Sequence, residues 1–149
     1  MIKGVHHTGI NTADLDRTVA FYRKVGFEIV HEGGWENNPL VDESIGLTGS
    51  AARVAMLRAA GTFLEFFEYR APAARDTQPL RPCDRGFTHI CLEVEDIEAE
   101  HDRLTAAGLT FFRRPADVGA IKMVYGKDPD GNLVEILEVK DKAHPFARP

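Results

Sequence analysis

No apolar run in this sequence approaches the ~18 residues of a membrane span, so no membrane partner is expected. Basic residues are also in short supply. Lys and Arg number 18 against 23 Asp and Glu, and the net charge of −5 has no basic cluster to offset it, which excludes nucleic acid as the natural partner. Cysteine is scarce: Cys83 and Cys91 stand eight apart, form no CxxC motif, and read as free thiols in a reducing compartment. The opening "MIKGVHHTGI" lacks the pattern of a signal peptide, and the expected location is the cytoplasm. What is present is an ordinary globular balance, 44% hydrophobic and 28% charged, in 149 residues that suit one compact domain with a sizeable core.

The chain repeats itself. "HTGINTADLDRTVAFYRKVGFEIV" from His7 aligns without a gap on "HICLEVEDIEAEHDRLTAAGLTFF" from His89. The alignment pairs Asp14 with Asp96 and Gly26 with Gly108, and apolar positions follow, among them Leu15 with Ile97 and Tyr22 with Leu104. Each aspartate precedes a helical pattern whose first turn it can cap, and each glycine falls where a helix end favours positive φ. Strands are expected at about 27–31 and 110–113, then at 54–57 with 63–69, and at 121–125 with 132–139. "DPDG" at 128–131 is a turn, with proline suited to its second place and glycine to its last. Each half therefore reads β-α-β-β-β, and the class is α+β. Module 1 spans about 3–69 and module 2 about 87–140, joined by a proline- and arginine-rich linker at 70–86 within one domain of 1–149; residues 141–149 form a tail. The glycine- and asparagine-rich stretch 31–50 shows little periodicity and reads as a long loop, with Trp35 a candidate substrate contact.

A second register of the repeat matches "GTFLEFFE" at 61–68 with "GNLVEILE" at 131–138, pairing Glu65 with Glu135 and Glu68 with Glu138. A carboxylate inside an apolar strand is costly unless something pairs with it. His7, Glu65, His89 and Glu135 recur at equivalent positions, and two imidazoles with two carboxylates suit Zn²⁺, Ni²⁺, Mn²⁺, Co²⁺ or Fe²⁺. A divalent cation would neutralise both strand carboxylates. His6 pairs with Thr88 rather than with a histidine and reads as structural or as lying just outside the ligand set. Glu68 and Glu138 fall on the opposite face and are expected to meet solvent or a partner. His101 reads as packing or surface, and His31 and His144 lie in loop and tail. Phe63 and Phe67 share a face with Glu65, as Leu133 and Leu137 do with Glu135, and could line an apolar pocket or the core.

"VHHTGI…DLDRTVAFYRKVGF…FLEFFEY…THICLEVEDI…YGKDPDGNLVEILE" resembles the vicinal oxygen chelate superfamily, which includes glyoxalase I, methylmalonyl-CoA epimerase, extradiol dioxygenases and the fosfomycin and bleomycin resistance proteins. The likeness covers about residues 3–140. It implies two tandem βαβββ modules forming a curled mixed sheet around one divalent metal, with His7, Glu65, His89 and Glu135 as ligands. It implies a small-molecule substrate with vicinal oxygens and a homodimer, without saying whether the metal is held within one chain or across two. Glutamate at the second ligand position favours the four-ligand lyases and isomerases, in which Glu65 or Glu135 doubles as base. The strand lacks the asparagine–tryptophan pattern of glyoxalase I, and the "HG…FLHP" run of methylmalonyl-CoA epimerase is absent. Tyr125 resembles a tyrosine that many dioxygenases place near the metal, or is a plain strand aromatic. An Fe²⁺ dioxygenase using His7, His89 and Glu135 is the alternative enzyme, and a non-catalytic sequestration protein the alternative of another class.

Overall fold

A computed structural model describes residues 1–75 and 80–147. They fall into two compact units, Met1–Thr77 and Gln78–Pro149, with the boundary inside the expected linker. In the first unit β1 (Thr8–Asn11) leads to α1 (Leu15–Val25), β2 (Glu28–Glu36), α2 (Pro39–Ile45), β3 (Ala51–Ala59) and β4 (Thr62–Ala71). The strands lie in the order β1-β4-β3-β2, with β1 parallel to β4 and the other pairs antiparallel. In the second unit β5 (His89–Glu93) is followed by α3 (Ile97–Ala107), β6 (Thr110–Phe111), β7 (Ala116–Asp117), β8 (Ile121–Lys127) and β9 (Leu133–Val139). Its order is β5-β9-β8-β6, with β7 also on β8. The α+β class and the two sheet modules are those read from the repeat. No helix among the described residues is long and apolar enough to cross a membrane.

The repeat sets the helices. Asp14 accepts the Arg17 N–H at 3.0 Å and Asp96 accepts that of Ala99 at 3.3 Å, so both aspartates cap as their position suggested. Gly26 and Gly108 end the helices at φ of 124° and 116°. Helix α1 buries Leu15, Val19, Phe21 and Tyr22 on one face of its sheet, where the Tyr22 ring meets Phe66 at 4.6 Å between centroids. Ile97 and Leu104 of α3 are buried likewise, as are Val124 and Ile136 of the sheet it packs on. Full burial of such side chains contributes roughly 1.5–3 kcal/mol each, so these helix faces hold each module together.

Four expectations need correcting. Residues 31–50 are not one long loop: β2 continues to Glu36, and Asn38 then caps α2, whose first residue is Pro39 and which Gly46 ends in the left-handed region. His31 consequently sits in β2 rather than in a loop. Strand β4 runs on through Arg70 and Ala71, two residues into the expected linker. Glu68 and Glu138 do not simply face solvent, because the face opposite Glu65 and Glu135 is the helix face. Glu68 accepts the Leu15 N–H at 3.3 Å and Glu138 that of Ile97 at 2.9 Å, so each fastens a helix start to its last strand. The short strand β7 was not anticipated.

Candidate metal centre

Two tight turns fix where the strand glutamates point. Between β3 and β4, Ala60 and Gly61 both take positive φ, 45° and 76°, as a two-residue hairpin turn of the right twist requires. The resulting register sets Glu65 beside Met56. Between β8 and β9, Asp128 accepts the N–H groups of Asp130 and Asn132, both at 2.9 Å, and the Asn132 side chain at 3.0 Å. That turn sets Glu135 beside Tyr125. Since strand side chains alternate, Glu65 and Glu135 lie on the face away from the helices.

Each unit brings one imidazole to one carboxylate. His7, one residue before β1, places Nε2 3.0 Å from Glu65 Oε2. His89, at the start of β5, places Nε2 3.2 Å from Glu135 Oε2. Two lone pairs at such distances repel unless a proton or a cation lies between them. The opposite ring edges are held too. Nδ1 of His7 lies 2.9 Å from Nδ1 of His6, and Nδ1 of His89 lies 2.9 Å from the Thr88 hydroxyl. His6 itself stacks on Phe63 at 5.2 Å with the rings 2° from parallel. If Nδ1 carries the proton and donates to these partners, Nε2 is left with its lone pair aimed at the carboxylate, the tautomer that a metal requires. In each unit the donor chemistry, one imidazole nitrogen beside one carboxylate oxygen, suits a divalent ion. Among the described residues no group of three or more His, Cys, Asp or Glu side chains stands together as a metal-holding cluster.

The two pairs differ in their surroundings. Glu135 is 9% exposed at its side chain, whereas Glu65 is 19% exposed. The position that Met56 holds beside Glu65 is taken by Tyr125 beside Glu135. The Tyr125 hydroxyl lies 3.2 Å from His89 Nε2, and its ring meets the imidazole edge-on at 4.9 Å. Burial, with a hydrogen bond to Glu135 and the charge of that carboxylate, pushes the Tyr125 phenol up to about 12, so it stays protonated at neutral pH. Cys91 is exposed, forms no disulfide and has Glu135 as its strand partner.

The remaining candidates are placed as follows. His101 is buried on α3, stacks on Phe111 at 4.4 Å and donates from Nε2 to the Arg113 carbonyl at 3.3 Å, a packing residue. His144 stays in the tail, where its Nδ1 accepts the Phe146 N–H at 3.2 Å. His31 and Trp35 share with His7 and Glu65 the face opposite α1, since His31 pairs across to Met56 and Met56 to Glu65. His6, read as structural or just outside the ligand set, lies against His7; the matching place of Thr88 against His89 was missed from sequence, although the repeat aligned those two residues.

Residues 4–136 match the family model described as the Glyoxalase/Bleomycin resistance protein/Dioxygenase superfamily. The chain is 33% identical over 150 positions to a 2-epi-5-epi-valiolone epimerase from an Actinomyces species, a match covering 91% of this chain and 79% of that protein. A glyoxalase family protein from Bacillus cereus has the same fold, with a TM-score of 0.85 at 18% identity over 93% of this chain and 95% of that one. FosX, a fosfomycin resistance protein from Listeria monocytogenes solved with Mn(II) and sulfate, gives a TM-score of 0.60 at 20% identity over 93% of each chain.

Proposed function

Because the chain belongs to the glyoxalase/bleomycin resistance protein/dioxygenase superfamily, we propose that it is a divalent-metal-dependent lyase or isomerase. It moves a proton on the carbon beside a carbonyl of a small molecule with two neighbouring oxygens. The observation that carries this reading is the contact of one histidine Nε2 with one strand carboxylate in each module, at 3.0 Å and 3.2 Å. The two pairs, His7 with Glu65 and His89 with Glu135, are read as one ligand set for Zn, Ni, Mn, Co or Fe. The Mn(II) held by FosX and the epimerase named among the relatives support metal and reaction class respectively. When bound, such an ion supplies a Lewis acid that acidifies the C–H next to the carbonyl it polarises.

The chain's own residues divide the remaining work. Glu65, the more exposed carboxylate, takes the proton from carbon and returns it to the neighbouring carbon. Glu135, more deeply buried, stays fixed as an anionic ligand. The protonated Tyr125 phenol donates a hydrogen bond to the oxygen on which negative charge develops. The chain acts as one domain of two modules and as a homodimer, in keeping with β1 and β5 lying at sheet edges. A monomer mass by light scattering across micromolar concentrations would contradict the dimer.

The placement of Tyr125 against His89 favours one second reading, an Fe²⁺ dioxygenase using His7, His89 and Glu135. Anaerobic protein reloaded with Zn²⁺, Ni²⁺ or Fe²⁺ and offered catechols, 2-oxo compounds and acyl thioesters separates the two. Proton transfer gives solvent-deuterium incorporation without oxygen, lost in Glu65→Ala. Oxygen uptake confined to the Fe²⁺ form establishes the dioxygenase instead.

A further inference from the structure

On the face that carries Glu65, β4 presents Phe63, Phe67 and Tyr69 at alternate positions, all half-buried. Across the sheet the partners of Tyr69 and Phe67 are small or covered: Ala52, 5% exposed, then Trp35; and Val54, 7% exposed, then Gly33. The space a side chain would take at Gly33 is filled by the His31 ring, whose Nε2 lies 3.0 Å from where a Cβ would stand, and the next side chain of β2 on this face is that of Trp35. Its ring meets Phe67 at 6.1 Å and Tyr69 at 5.8 Å, both steeply tilted, while Phe67 and Tyr69 stack at 6.0 Å. Gly34 lets β2 lie this close to β3, because a Cβ there would stand 2.3 Å from the Ala52 carbonyl oxygen. The same face reaches the carboxylate: Glu65 lies two residues from Phe67 on β4, and its charge adds to the burial that pushes the Tyr69 phenol up.

The indole is anchored rather than merely packed. Its Nε1–H donates to Ser50 Oγ at 2.7 Å. Ser50, with no exposed surface, donates its hydroxyl to Asp42 of α2, and Asp42 also accepts the N–H groups of Gly49 at 2.8 Å and Ser50 at 3.0 Å. An aromatic side chain left half-buried while its one polar atom is fixed through two further residues is built to present its ring.

We propose that Trp35, positioned by Ser50 and Asp42, forms with Phe67 and Tyr69 a specificity wall that receives a ring on the substrate. This rests on the metal-dependent reading above: the ligand set takes the vicinal oxygens, and the wall takes a flat aromatic ring attached to them. Trp35 is the one tryptophan of the chain, so its emission reports on the wall directly.

Benzohydroxamic acid and acetohydroxamic acid test this, since both chelate through the same pair of oxygens and differ in the ring. On Zn²⁺-loaded wild type, benzohydroxamate is expected to bind about tenfold tighter by calorimetry, the scale of one aromatic contact, and to quench Trp35 emission. In Ser50→Ala and in Trp35→Leu that advantage should shrink several-fold, with acetohydroxamate affinity unchanged. Trp35→Leu alone decides the matter should Ser50→Ala not fold. Equal affinities for the two acids in wild type, a ring advantage kept in Trp35→Leu, or binding of acetohydroxamate alone would overturn the wall and leave the metal reading standing. Failure of both acids to bind metal-loaded protein would remove the metal reading and the wall with it.

Discussion

The Thr88 hydroxyl lies 2.9 Å from Nδ1 of His89, the position at which His6 supports His7 in the other module. A hydrogen bond there fixes which ring nitrogen keeps its lone pair. Replacing Thr88 with valine keeps the shape and removes the bond. Metal affinity is expected to fall about 10–100-fold, the usual cost of losing such a support, with little change in melting temperature. Competition against a chromogenic chelator measures this, and an unchanged affinity would show that the contact has no influence on the imidazole.

Tyr125→Phe removes one hydroxyl from beside His89 and Glu135 and leaves the ring. If the phenol donates to developing charge, kcat falls by about 10²-fold while KM changes little. A rise in KM with kcat intact would instead make Tyr125 a binding group.

Glu138 is expected to matter for stability alone. Its carboxylate accepts the Ile97 N–H at 2.9 Å, tying α3 to β9. Glu138→Ala leaves that donor at the helix start without its partner and should cost about 1 kcal/mol, as lost helix caps do. Urea titration checks the value, and metal content should stay at the wild-type level.

Asp42 gives the wall an acid limit. The Ser50 hydroxyl, with the Ser50 and Gly49 N–H groups, holds its carboxyl below the ordinary 3.8 against the opposing effect of burial. Its folded-state affinity for protons is therefore weaker than in the unfolded chain. The stabilisation is fully present above the ordinary value and is lost as pH falls through the lower folded-state one. Asp42→Asn should be the less stable protein at neutral pH, and the gap should close in melts carried down to about pH 2. A constant gap at every pH would mean that the charge of Asp42 is not what stabilises the segment.

Periodicity and repeat made the modules legible. The caps Asp14 and Asp96, the terminal glycines and the two strand glutamates all fall at matched positions, and local chemistry explains each of them. The helix hidden in 31–50 was not legible by periodicity because α2 has only seven residues, too few to show a face; its signals were Asn38-Pro39 at the start and Gly46 at the end. Glu68 and Glu138 were placed on the correct face, but their partners are backbone N–H groups distant in sequence, which no side-chain pattern reveals. The Trp35–Ser50–Asp42 chain was hidden for the same reason. It joins three segments whose proximity comes from the register of β2 on β3.

The claim that His7, Glu65, His89 and Glu135 serve one metal is tested most directly by elemental analysis of purified protein. Wild type should retain about one divalent ion per set of four ligands, and Glu135→Gln, His89→Ala and above all the double variant should lose it. A double variant that folds and keeps the wild-type metal content would contradict the account.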